Sequence, residues 1–364
     1  MMQSTLTPAD IGSKAAAPAP AAPPLIEIDD LKVRFFTHDG SIDALEGVSL
    51  TIPQGKTLCI VGESGSGKSI TGRAILNQVP RPGKITDGSI RYYRTAGAKP
   101  VDITGLDPRG AQMRAIRGGE IGLISQEPMA ALSPVHTIGN QMREAIRLHT
   151  RLGKKAADAH AIEMLAKVGI PRPAERLNNY SFEFSGGMRQ RICIALALSA
   201  SPRLLIADEP TTALDVTTQA NIVDLLLGLQ EELGISIMFI THDLGVVAEI
   251  ADEIAVMYLG KIVEQGDSLS IFRDPKHPYT KALLRSIPTF TRERGGRLQT
   301  IKGMVPSPFQ RPSGCTFHPR CDAFMPGICD RLVPWPVEPQ PGRVVRCHLH
   351  ADRAEIDRAL GGRA

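Results

Sequence analysis

Apolar residues recur along this chain with two different periods, which alternate. Leu25 to Pro53 reads as extended segments, with Ile26, Ile28, Val33 and Phe35 separated by polar residues. Thr57 to Val61 is a short apolar run that ends in glycines, the mark of a buried strand. A helix is predicted from Lys68 to about Asn77. From about Glu127 to Tyr180 the period is helical: Ile138, Met142, Ala145 and Ile146 share one face, as do Ala161, Leu165 and Val168. Ser185 to Ala200 makes another helix, with Met188, Ile192, Ala195 and Leu196 on one stripe. Leu204 to Ala207 and Ile235 to Ile240 are predicted strands. Between them, Ile222, Leu225, Leu226, Leu229 and Leu233 form an amphipathic helix stopped by Gly234.

Strands that alternate with helices imply an α/β fold with a mostly parallel sheet covered on both faces. The helical block at 127–190 is an inserted subdomain. After Gly266 the chain becomes rich in Pro, Arg, His and Cys, which marks a separate C-terminal module. Three parts follow: a tail over 1–24, a main domain over 25–270, and an extension over 271–364. The Ala/Pro tract from Ala15 to Pro24 has too little apolar bulk to offset the entropy of ordering, so the tail is expected to be disordered. It has neither the basic start nor the apolar centre of a secretory signal.

Composition narrows the classes. Of 364 residues, 42% are hydrophobic and 22% charged, as in a soluble globular protein. The net charge of +4 is too mild to argue for nucleic acid. No apolar run approaches the roughly 20 residues that span a bilayer. A cytoplasmic protein is expected, one that can sit against a membrane protein.

Two motifs carry chemistry. Gly62-Glu63-Ser64-Gly65-Ser66-Gly67-Lys68-Ser69 fits G-x-x-x-x-G-K-[ST], between a predicted strand and a predicted helix. Its glycines let backbone N–H groups turn inward around a phosphate, and the helix start adds its positive dipole end. Lys68 is placed to reach the β/γ oxygens, and Ser69 to ligate Mg²⁺. Leu204-Leu205-Ile206-Ala207-Asp208-Glu209 puts two carboxylates at the end of a buried strand. Asp208 is expected to hold the Mg²⁺ shell and Glu209 to polarise the attacking water as general base.

Between them, Phe184-Ser185-Gly186-Gly187-Met188-Arg189-Gln190 resembles the signature of ABC ATPases. A serine hydroxyl, glycine amides and a helix N-terminus can together contact a γ-phosphate. The resemblance implies that Ser185, Gly186 and Gly187 complete the site of an opposite subunit, so that two chains enclose two ATPs. Gln126 in Ser125-Gln126-Glu127-Pro128 resembles the Q-loop that senses Mg²⁺. Asp215 in Ala213-Leu214-Asp215 resembles the D-loop at the dimer seam. His242 in Thr241-His242-Asp243 resembles the switch histidine that contacts the γ-phosphate. Phe35 aligns best with the aromatic residue that stacks on adenine; Phe36 and a core role remain open. The implied fold is a P-loop ABC ATPase core with an added antiparallel β subdomain.

Asp274 to Leu284 looks like the segment that opens the C-terminal extension of dipeptide/oligopeptide-import ATPases. That resemblance implies a second, non-identical ATPase partner, two permease subunits and an extracytoplasmic peptide-binding protein. The signature with Met188 looks like that of the first of the two ATPases. A place on the cytoplasmic face of the membrane follows, with peptides as cargo; nickel, opines, glutathione and antimicrobial peptides are alternative cargoes. A soluble ABC ATPase acting on DNA or ribosomes is the main rival. Against it stand the single cassette and the absence of heptads between phosphate loop and signature.

Of six cysteines, Cys59 and Cys193 lie alone in apolar segments and are expected in the core. Cys315, Cys321, Cys329 and Cys347 follow C-x5-C-x7-C-x17-C. Four thiolates can hold an iron–sulphur cluster or a structural zinc. No C-x2-C pair of the usual zinc kind occurs, and the family resemblance implies a four-iron, four-sulphur (4Fe-4S) cluster. His318, His348 and His350 are expected at the surface.

Overall fold

The computed structural model describes residues 23–95, 99–127, 131–212, 214–286 and 301–361. The expected disordered tail lies almost entirely outside these, as do Pro128 of the Q-loop segment and Ala213 of the D-loop segment. Pro24, placed in the tail by composition, already opens the first strand.

Two sheets organise the chain. The smaller is antiparallel, in the order β2-β1-β4-β5, built from β1 (Pro24–Thr37), β2 (Gly40–Pro53), β4 (Gly83–Tyr92) and β5 (Val101–Asp102). The larger has the order β11 (Val337–Gln340), β12 (Arg343–Val345), β10 (Lys261–Asp267), β9 (Glu253–Tyr258), β3 (Thr57–Val61), β8 (Ser236–Thr241), β7 (Leu204–Asp208), β6 (Ile121–Ile124). Its centre is parallel: β3, β6, β7, β8 and β9.

Alternation along these strands divides the core between the two faces. Leu58, Ile60, Leu204, Ile206, Met238 and Ile240 join Ala74 and Ile75 of α1 (Lys68–Ile75) and the antiparallel sheet in one cluster. Cys59, Val61, Leu205, Ala207, Ile237 and Phe239 face the opposite side. There they pack with α6 (Gly186–Leu198), α7 (Val216–Leu233) and α8 (Leu244–Ile250). Gly234 adopts φ 64° and ends α7, as the sequence implied. Cys59 and Cys193 are buried here, and burial pushes the Cys193 thiol up to about 12.

α2 (Ala111–Gly119) is kinked at Arg117 and Gly118 and leads into β6. The helical block holds α3 (Ile138–His149), α4 (Lys154–Lys167) and α5 (Pro173–Arg176). Ile138, Met142, Ile146, Ala161, Leu165 and Val168 are buried, on the faces the period picked out.

The extension continues the larger sheet. β10 (Lys261–Asp267) pairs antiparallel with β9 and with β12 (Arg343–Val345), which pairs with β11 (Val337–Gln340). Two short helices, α9 (Ser268–Arg273) and α10 (Pro278–Arg285), run between, and α11 (Arg353–Gly361) closes the described chain. Glu264 on β10 is fully buried and organises this region. It accepts the N–H of Lys276 at 2.7 Å and of His277 at 2.9 Å, and pairs with the buried Arg343 at 2.5 Å. The Asp274–Leu284 segment therefore has a physical reason for its pattern: two N–H groups wrap one carboxylate, and His277 then caps α10. Among the described residues, no helix is long and apolar enough to cross a membrane.

Candidate functional site

The phosphate loop leaves β3 at Val61 and enters α1 at Lys68. Gly62 sits at φ 154°, where an added Cβ would lie 2.1 Å from the Met257 carbonyl oxygen. Gly67 sits at φ 107°, with the Ala44 carbonyl oxygen 2.9 Å from any Cβ. No side chain fits at either place, so the loop stays a shell of bare amides. Lys68 lies across it, Nζ donating to the carbonyls of Gly62 at 2.8 Å and Glu63 at 3.1 Å. Burial lowers the Lys68 pKa, against the pull of Glu209, Asp208 and Glu63. The Ser66 hydroxyl is buried without a protein partner, which fits a donor meant for a phosphate oxygen.

Asp208 ends β7 and is 5% exposed. It accepts the Ser69 hydroxyl at 2.8 Å. Burial raises its pKa, and the Ser69 hydrogen bond opposes that shift. An oxygen pair at this separation suits a hard divalent cation. The next residue leaves the strand: Glu209 takes φ 49°, a left-handed backbone that costs a non-glycine residue on the order of 1 kcal/mol. Its own N–H donates to the Ile240 carbonyl at 2.9 Å and holds the turn. The turn separates the two carboxylates. Glu209 accepts from Gln126 Nε2 at 3.1 Å and Thr212 Oγ1 at 3.0 Å, and His242 Nδ1 stands 3.5 Å from it. Gln126, Glu209 and His242 follow β6, β7 and β8, three neighbouring parallel strands. Their carboxyl ends form the crevice where open α/β sheets bind ligands.

A cavity of about 360 Å³ lies over this crevice. Phe35, Ala44, Ser64 to Ile70, Gln126 and Glu209 line it. Of the two candidate aromatics, Phe35 lines the cavity, whereas Phe36 is 48% exposed. Pro308 and Arg311 from the extension line it too, which local sequence reasoning missed. Arg311 donates to Glu46 at 2.6 Å, to the Leu259 carbonyl at 3.0 Å and to the Asp43 carbonyl.

Ser185, Gly186, Gly187 and Asp215 do not line this cavity. They lie together elsewhere. Ser185 caps α6 by accepting the Met188 N–H at 3.3 Å, and Asp215 caps α7 by accepting the Thr218 N–H at 2.9 Å. A Cβ on Gly187 would lie 2.8 Å from Thr218 Cγ2, so the two turns adjoin. Hydrogen bonds from Thr218 hold the exposed Asp215 carboxyl below its usual pKa.

The four late cysteines share one neighbourhood. The Cys315 N–H donates to the Cys329 carbonyl at 2.8 Å. Burial first, then the neighbouring thiols, push Cys315 up to about 11 and Cys347 to about 12. Yet among the described residues no group of three or more His, Cys, Asp or Glu is placed to hold a metal ion. The expected iron–sulphur or zinc site is not supported: the thiols are close but do not converge as ligands. The histidine expectation is corrected too. His348 is buried and bonds the Leu332 carbonyl, while His318 and His350 are half-buried on carbonyls of Cys315 and Lys276.

Comparison with known proteins agrees with this geometry. Residues 45–212 match the family described as ABC transporter, and residues 263–329 match the oligopeptide/dipeptide transporter C-terminal region. The dipeptide transport ATP-binding protein DppD of Bacillus subtilis is 46% identical over 332 residues, covering 91% of this chain and 96% of that protein. The oligopeptide transport ATP-binding protein OppD of the same organism is 44% identical over 340 residues, covering 92% and 91%. A dimeric ATP-binding cassette, MJ0796, in a post-hydrolysis state with ADP and phosphate, superposes with a TM-score of 0.57 at 27% identity, covering 66% of this chain and 98% of that one. The chain belongs to the ABC transporter ATP-binding proteins, in the group that carries the oligopeptide/dipeptide C-terminal region.

Proposed function

We propose that this chain binds and hydrolyses ATP to power import of dipeptides or oligopeptides through partner permeases. The carrying observation is the convergence of Ser69–Asp208 and Gln126–Glu209–His242 on one crevice beside the phosphate loop. The loop's backbone N–H groups, apart from that of Glu63, and the Lys68 ammonium hold the β- and γ-phosphates. Ser69, Asp208 and Gln126 provide the oxygens for Mg²⁺, which when bound neutralises charge on those phosphates. Glu209 orients the attacking water and takes its proton, and His242 faces the γ-phosphate. Phe35 stacks on adenine.

Ser185, Gly186, Gly187 and Asp215 serve the site of a second, homologous ATPase. The exposure of Ser185, Gly186 and Asp215 beside the half-buried Gly187, away from this chain's own cavity, supports that reading. Two permeases and an extracytoplasmic peptide-binding protein complete the complex at the cytoplasmic face of the membrane. For a 4Fe-4S cluster on the four late cysteines only the sequence pattern speaks, and the placement of the thiols does not; iron, sulphide and zinc assays after anaerobic purification test it. Isolation of the whole membrane complex, with mass spectrometry of what its binding protein carries, tests the cargo. Peptides are expected; a metal chelate or sugar derivative in their place would overturn the assignment.

A further inference from the structure

The phosphate loop is held from behind by the extension. Glu63, its second residue, donates its backbone N–H to the Tyr279 hydroxyl at 2.9 Å. The Glu63 carboxylate receives both ends of the Arg320 guanidinium, at 2.6 Å and 2.9 Å. Neither partner is a loose surface group. Tyr279 is fully buried at the start of α10, and the Arg320 side chain is 4% exposed. Arg320 also donates to the Lys302 carbonyl at 3.0 Å and lies over the rings of Tyr258 and Phe317. Tyr258, Tyr279 and Phe317 pack with ring centres 4.7–5.3 Å apart. This is a rigid block, and its bidentate arm fixes direction as well as distance.

The held residue is also joined to the chemistry. The Glu63 carbonyl accepts from Lys68 Nζ. Movement of Glu63 therefore carries both the loop's amides and the seat of its lysine.

We propose that Tyr279 and Arg320 of the extension are positioning residues for the phosphate loop, acting through Glu63 to keep it in the conformation that receives the triphosphate. The proposal rests on the ATP-binding reading of that loop. It gives the extension a part in the ATPase itself: the peptide-transporter region, which ends its family match at 329, sets the affinity of the site in the cassette. Cys315 and Cys321 bracket the turn that holds Phe317 and Arg320.

The test is equilibrium binding of a fluorescent ATP analogue with Mg²⁺ to the full-length chain, with unlabelled ATP as competitor. Wild type must bind and Lys68→Ala must bind weakly; failure of that pair defeats the ATP reading and this proposal with it, whereas a normal pair with unchanged Arg320 and Tyr279 variants defeats this proposal alone. Given that pair, Arg320→Met is expected to raise the dissociation constant about tenfold and Tyr279→Phe about threefold. Glu63→Gln should match Arg320→Met. The double variant should stay within about twofold of the worse single, because both remove one interaction. In the assembled transporter, Arg320→Met and Tyr279→Phe should raise KM for ATP and leave kcat at saturating ATP within about twofold. Should Arg320→Met fold poorly, Tyr279→Phe and Glu63→Gln, each changing one polar group, decide. Unchanged affinity in those variants, additive losses in the double, or a fall in kcat with KM unmoved overturns the proposal.

Discussion

Asp208 and Glu209 are adjacent in sequence and differ in placement because one backbone angle changes sign between them. Asp208 keeps the alternation of β7 and buries against Ser69. Glu209, at φ 49°, turns out toward Gln126, Thr212 and His242. A buried carboxylate suits a cation, and a part-exposed one suits a water molecule. Lys68 is the matching case on the other side. Among the described residues its ammonium donates to carbonyls, so its removal is expected to leave the fold intact. Lys68→Ala is expected to weaken ATP binding about 10- to 100-fold, the worth of a charge-assisted hydrogen bond at 1.5–3 kcal/mol. Isothermal titration of the full-length chain measures it. These residues were legible in the sequence because each motif is contiguous, and the strand before it fixes where it points. Arg311 and Arg320 were not. Their partners Asp43 and Glu63 lie 268 and 257 positions away, and nothing local marks either arginine.

Among the elements, α10 depends most visibly on a protonation state. His277 caps it by accepting the Tyr279 N–H through Nδ1, which requires that nitrogen to be unprotonated. Burial drives the His277 pKa down to about 4; Glu264 opposes this and His350 adds to it. The unfolded histidine titrates near 6.5. Between those values the unfolded chain binds more protons, so stability falls as pH drops from about 6.5 toward 4 and is fully present above that window. The loss from this one group reaches ~3 kcal/mol at the acid end. Chemical denaturation at pH 7.5 and pH 5 should show the decline, and His277→Asn should reduce it; an equal slope in both proteins would refute the assignment. The Asp274–Leu284 pattern announced a distinct segment, but the sequence did not disclose Glu264 as its centre. That carboxylate pairs with Arg343, 79 residues later, on a three-residue strand too short for periodicity to mark.

At the scale of the whole molecule, a module that composition sets apart proves continuous with the cassette. β12 covers the free edge of β10, and Tyr279 and Phe317 belong to the main apolar cluster. Ending the chain after residue 270 would uncover an edge strand and the apolar groups around Tyr258. Such a protein is expected to elute as aggregate in size-exclusion chromatography, where the full-length chain elutes as a discrete species. The mostly parallel sheet, the helical insertion and the phosphate site were readable because strand–helix alternation leaves few topologies. The sheet's last two strands were not, since their pairing spans the extension. The central claim remains chemical, and it is tested by Glu209→Gln in the assembled transporter, scored for Mg²⁺–ATP retention and phosphate release together. The account predicts that nucleotide stays bound while hydrolysis falls 10²- to 10⁴-fold, the range for loss of a general base. Phosphate release within about twofold of wild type would contradict it.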